Sequence, residues 1–95
     1  MTVRFPQWVE DHKKDHERAS ARLQYLVSLA AVEATGRQSV RALCEQIQMD
    51  HSSVSLAIRR GYFTEKMATA VANAVSSKTI RPEYLVAPLK IKAAA

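Results

Sequence analysis

The stretch ARLQYLVSLAAVEA, residues 21–34, constrains the fold more than any other. At helical spacing it carries two apolar stripes. Leu23, Leu26, Val27, Ala30 and Ala34 form one, and Tyr25, Leu29 and Val32 form the other. A helix that is apolar around most of its circumference has to be covered on several sides. The stretch therefore predicts a central helix with others packed round it, its second stripe lying either in the core or in a dimer contact. The whole chain has 95 residues, enough for one domain with a modest core. Two glycines and three prolines leave few helix breakers, and alanine is frequent, so the expected fold class is all-α.

The flanking segments fit that frame. Residues 5–20, FPQWVEDHKKDHERAS, predict a mostly solvated charged helix entered through Pro6 and docked through Phe5, Trp8 and Val9. Glu10 with Lys14, and Asp15 with Arg18, have the spacing of favourable helical pairs. Gly36 is a helix stop. Residues 39–47, SVRALCEQI, predict a short helix with Val40, Leu43, Cys44 and Ile47 inward. After the turn QMD, Asp50 caps a helix from His51 to Arg60, which Gly61 ends. Thr64 caps a further helix, Glu65 to about Ser76, with Met67, Val71, Ala74 and Val75 inward. Pro82 suits a first turn, Pro88 stops what Tyr84 to Val86 form, and KIKAAA is expected to fray. The organisation expected is a charged helical extension over 1–20, a bundle of four to five short helices over 21–88, and a frayed tail over 89–95.

The formal net charge is +5, which favours a polyanion, either nucleic acid or an anionic membrane face. Cys44 is the single cysteine, so there is no internal disulfide or multi-cysteine zinc site, and the reducing cytoplasm is the expected compartment. No apolar run approaches the roughly 18 residues of a membrane span, and the first residues lack a signal-peptide apolar block. His12 and His16, in HKKDH, loosely echo a metalloprotease pattern. Asp15 stands in place of the glutamate and no third ligand is evident, so zinc chemistry is not expected. With no Ser-His-Asp arrangement and no glycine loop for phosphates, neither catalysis nor a cofactor is expected.

Two short helices joined by a three-residue turn are the physical core of a helix-turn-helix. Cys44 supplies the small residue where the helices cross, and Ile47 and Met49 flank the turn. Val54, Ala57 and Ile58 anchor the second helix at i, i+3, i+4. His51, Ser52, Ser55, Leu56 and Arg59 fall on the remaining surface, and residues 51–60 contain no acid. An ordinary solvated helix carries Glu and Lys at such positions. Short polar side chains instead let a backbone press into a major groove, and the positive helix N-terminus favours an anionic duplex.

The segment ALCEQIQMDHSSVSLAIRRG, Ala42 to Gly61, resembles the helix-turn-helix of Cro/cI-type phage regulators. Its AIRRG ending is similar to small prophage Cro-like proteins, including the YdaS-type group. FTEKMATAVANAV and TIRPEYLVAPL stand where that group has a short helix and a tail, so the likeness covers about residues 22–88. The resemblance implies a lambda-repressor-like, double-stranded-DNA-binding regulator, acting as a repressor on an operator. It implies base contacts for His51, Ser52, Ser55 and Leu56. Ser53, Arg59 and Arg60 would serve phosphates or flanking bases, and Gln38 would meet phosphate near Arg37 and Arg41. Lys66 is a further phosphate candidate. One recognition helix reads few base pairs, so a homodimer is expected, through the helix from Phe5 or the tail Tyr84–Ile91.

Three departures from that pattern set further expectations. Gln48 holds a turn position usually given to glycine. A positive φ there costs roughly 1 kcal/mol, so a different turn is expected. Leu56 is apolar where polar readers are common; it suits either a thymine methyl or a protein contact. The charged segment before residue 20 has no counterpart in the minimal fold. The alternative is an antitoxin-like or anti-repressor module that uses the same helices on a protein partner. RNA is disfavoured, because no aromatic stacking platform is evident.

Overall fold

Pro6 opens a single helical turn, α1 (Gln7–Glu10), and the chain then leaves the helix before α2 (Asp15–Thr35) begins. The computed structural model describes residues 4–76 and 80–91. The one helix expected over 5–20 is thus two pieces, and the second runs past residue 20 into the apolar segment without a break. The break lets α1 fold back so that Phe5 and Val9 are buried in the core. Trp8, expected as an anchor, points outward and is 52% exposed.

Three short helices follow: α3 (Val40–Ile47), α4 (His51–Arg60) and α5 (Glu65–Asn73). Then come α6 (Pro82–Val86) and a 3-10 turn, Pro88–Lys90. Among the described residues there is no strand. The three short helices have side-chain caps: Ser39 Oγ accepts from Ala42 N–H at 3.1 Å, Asp50 Oδ2 from Ser53 N–H at 2.9 Å, and Thr64 Oγ1 from Met67 N–H at 3.3 Å. Each cap takes up one of the amides that a helix start leaves without a partner. α5 closes at Asn73, short of the expected Ser76.

The helix α2 is the hub, packed against α1, α3, α4, α5 and the 3-10 turn. Of the first stripe, Leu23, Leu26, Val27 and Ala30 are buried and Ala34 is partly buried; Ala31, outside the stripe, is buried as well. Val54, Ala57, Ile58, Leu43, Cys44, Phe63, Val71 and Leu85 complete the same core. The second stripe is only partly covered. Tyr25 meets the Phe5 ring edge-on at 5.8 Å, while Leu29 and Val32 stay 36% and 40% exposed. The first stripe went to the intramolecular core because α3, α4 and α5 all pack on that side of the hub.

An unanticipated clamp ties both ends of the chain to α2. Arg22 is 6% exposed. Its Nε and Nη2 donate to the two carboxylate oxygens of Glu10, each at 3.0 Å. Its Nη1 donates to the carbonyls of Pro88 and Ile91, each at 3.1 Å. The guanidinium also lies 4.7 Å from the Phe5 ring centroid. The tail expected to fray from residue 89 is instead docked as far as Ile91, which is buried. Residues 92–95 lie outside the described residues.

The turn between α3 and α4 keeps the left-handed backbone despite lacking glycine. Gln48 has φ 58° and ψ 45°, and among the described residues it is the one non-glycine with positive φ. The expectation of a different turn does not hold, because Met49 N–H reaching Cys44 O at 2.9 Å closes the end of α3 in this geometry. Gln48→Gly is expected to raise the unfolding free energy by about 1 kcal/mol by relieving the Cβ clash. Urea unfolding at unchanged m-value measures this, and a loss of stability would show that the side chain contributes more than the strain.

Candidate nucleic-acid interface

α4 is oriented from beneath and from both ends. Val54, Ala57 and Ile58 are buried against α2 and the core. At its start, Asp50 Oδ2 accepts from both the amide and the hydroxyl of Ser53. At its end, Gly61 has φ 99° and closes the helix by donating to Ala57 O and Ile58 O. Ser20 Oγ, from α2, also donates to Ile58 O, at 2.7 Å. A Cβ on Gly61 would stand 3.3 Å from Ala19 Cβ, so glycine serves both the backbone angle and the close approach of α4 to α2.

The upper surface of α4 divides by exposure. Ser52, Leu56 and Arg59 face outward, with Leu56 60% exposed. His51 and Ser55 are half-buried on the flank towards α2. With Arg59 they line a surface depression whose other walls are Ser20 and Gln24 of α2, Val40 of α3, and Ile58. Ser53 and Arg60 are exposed on the opposite flank, and both have partners within the chain. The Ser53 hydroxyl donates to Asp50 at 3.1 Å. The Arg60 guanidinium stacks 4.3 Å over the Tyr62 ring and donates to Tyr62 O at 3.2 Å.

The other positions singled out in the sequence surround this surface without entering the depression. Arg37 and Gln38 are exposed in the connection after α2, Arg41 is exposed in the first turn of α3, and Lys66 in the first turn of α5. Among the described residues, Arg37, Arg41, Arg59 and Lys66 form no ion pair. Their charge is therefore available to an external anion. Cys44 is buried, and burial, with Asp50 adding to it, pushes its thiol pKa up. That suits a packing residue rather than a nucleophile.

Ser20 and Gln24 escaped the sequence reading. Their signal is a polar line at four-residue spacing, Ser20, Gln24 and Ser28, beside the apolar stripes of α2. Gln24 Nε2 donates to Ser28 Oγ at 3.2 Å, so the line is knit together on the α2 surface. Among the described residues, no cluster of His, Cys, Asp and Glu could hold a metal, and no helix is long and apolar enough to cross a membrane. Compared with family models, curated proteins and solved structures, the chain matches none of them.

Proposed function

We propose that the chain is a sequence-specific double-stranded-DNA-binding regulator, a repressor of the Cro-like phage or prophage type. α3 and α4 act as its helix-turn-helix, in a lambda-repressor-like domain working in the bacterial cytoplasm. It is a binding module rather than an enzyme, and it reads an operator as a homodimer. One observation carries this reading: α4 buries Val54, Ala57 and Ile58 and presents an acid-free surface, His51 to Arg60, to the outside, polar and short-chained at its start and cationic at its end. His51, Ser52, Ser55 and Leu56 contact bases. Arg37, Gln38, Arg41, Arg59 and Lys66 contact phosphates and set affinity and register. Ser53 and Arg60 join them on the far flank once the groups are released from Asp50 and Tyr62.

Arg59→Ala is expected to weaken binding to all duplexes alike and to lower the slope of log affinity against log salt by about one unit. Ser52→Ala is expected to narrow the gap between preferred and unrelated sequences. Titrations of the duplex upstream of the coding region and of an unrelated duplex, at two salt concentrations, separate the two effects. If both variants act identically on both duplexes, the assignment of readers is wrong. The exposure of Leu56 favours a second reading, a module that docks a protein partner through α4. That reading requires little affinity for duplex DNA at low salt.

A further inference from the structure

The depression flanking α4 does not end at Gln24. Ser20, Gln24, Ile58 and Arg59 also form the wall of a second depression, which runs on to Trp8, His12 and His16. The two together make one trough along the α2 side of α4. It collects all three histidines of the chain: His12 and His16 at one end and His51 at the other, with Arg59 between. His12 and His16, which only loosely echo a metal-binding pattern, lie in the fold beside the proposed reading helix.

An α-helix with its side chains is about 10–12 Å across, and the major groove is about 12 Å wide. A helix seated in that groove therefore has a sugar–phosphate backbone along each flank. The trough occupies one of those flanks. Its walls offer suitable donors: the Ser55 hydroxyl, the second N–H of the Gln24 amide, the Arg59 guanidinium and the indole N–H of the exposed Trp8.

Charge at the N-terminal end depends on protonation. Between residues 10 and 18, with Glu10 paired to Arg22, Asp11, Asp15 and Glu17 balance Lys13, Lys14 and Arg18. Proton charges on His12 and His16 make that end positive. The groups facing them are few. His12 Nδ1 lies 3.9 Å from Glu17 Oε2, and its carbonyl accepts from Arg18 at 3.4 Å. Arg18 is itself paired with Asp15 at 2.7 Å. Glu17 and Arg59 are the other charged groups in the walls around His16, and His51 shares its end with Arg59, next in sequence to the capping Asp50.

We propose that this trough seats the sugar–phosphate backbone alongside α4, and that protonation of His12, His16 and His51 tightens its hold on duplex DNA. The proposal rests on the DNA-binding reading above and adds a second contact surface and a pH response to it. Histidine is the side chain that changes charge between about pH 5 and 8. Binding next to phosphate favours its charged form, so the complex takes up protons and strengthens as pH falls.

The test titrates the full chain and the H12Q/H16Q variant with a labelled random duplex of about 24 base pairs, near pH 6 and near pH 8 at fixed salt. His12 is half-buried and His16 exposed at the surface, and circular dichroism checks that the variant folds. The natural chain is expected to bind roughly tenfold tighter at the lower pH, about twofold from each histidine, and the variant only about twofold tighter, the share of His51. A variant that keeps the full pH gain overturns the trough. So does a natural chain whose steeply salt-dependent binding is the same at both pH values, and that result leaves the DNA-binding reading standing. Absence of duplex binding at both pH values overturns the two together.

Discussion

Phe63→Ala is expected to lower the unfolding free energy by about 4 kcal/mol and the melting temperature by roughly 20 °C. Phe63 is among the largest of the fully buried side chains. It lies two residues after Gly61 in the connection between α4 and α5, and its amide donates to Leu85 O at 2.9 Å. One residue thereby ties the connection after α4 to α6, with its ring buried in the core. Truncation to alanine removes the transfer energy of the ring and leaves a cavity that the backbone bond to Leu85 keeps from collapsing. Phe63→Leu retains most of the volume and is expected to lose no more than about 1.5 kcal/mol. Urea unfolding of both variants checks the order; an alanine variant as stable as the leucine one would mean that the core closes over the gap.

Arg22→Ala is expected to destabilise by about 3 kcal/mol, at the lower end for a broken buried ion pair. The discount follows from Glu10, whose side chain is 36% exposed and stays hydrated when its partner is lost. The carbonyls of Pro88 and Ile91 lose their donor as well, and both ends of the chain come loose from α2. Replacing both partners, as in Arg22→Met with Glu10→Leu, removes the stranded charge and is expected to recover more than half of the loss. If the double variant is no better than Arg22→Ala, the clamp acts through the two carbonyls rather than the pair.

The same clamp predicts an acid response. Hydrogen bonds from Arg22, and then the charges of Arg22 and Arg18, hold the Glu10 carboxyl below the usual glutamate pKa, against the opposing effect of burial. A carboxyl depressed in the folded state contributes its full stability above the unfolded value and loses it as pH falls through the folded one. The natural chain is therefore expected to lose stability more steeply than Arg22→Ala through that acidic window. Parallel curves would show that the pair is not linked to folding.

Much of the helical layout is legible in the sequence because its causes are local. Caps and stops act within one helical turn, so Asp50, Thr64, Gly36 and Gly61 mark boundaries that the structure reproduces. Periodicity acts within two turns, so Val54, Ala57 and Ile58 are read as the buried side of α4 from spacing alone. Gln48 misled for the same reason: its side chain argues against a left-handed turn, and the hydrogen bonds that impose one belong to the end of α3. The charged run 10–18 misled because its pair spacing fits a helix, while Phe5 and Val9 reach the core only if the chain bends.

From the order of residues alone one could obtain the all-helical class, the bounds of α3 and α4, and which side of α4 is free. These depend on contacts at most a few residues apart. The course of α1 and the tail, the exposure of Leu29 and Val32, and the trough uniting His12, His16 and His51 were decided by the tertiary structure alone. Each of these depends on partners far apart in the chain, such as Arg22 with Ile91 or Ser20 with Ile58, which meet only when the helices pack around α2.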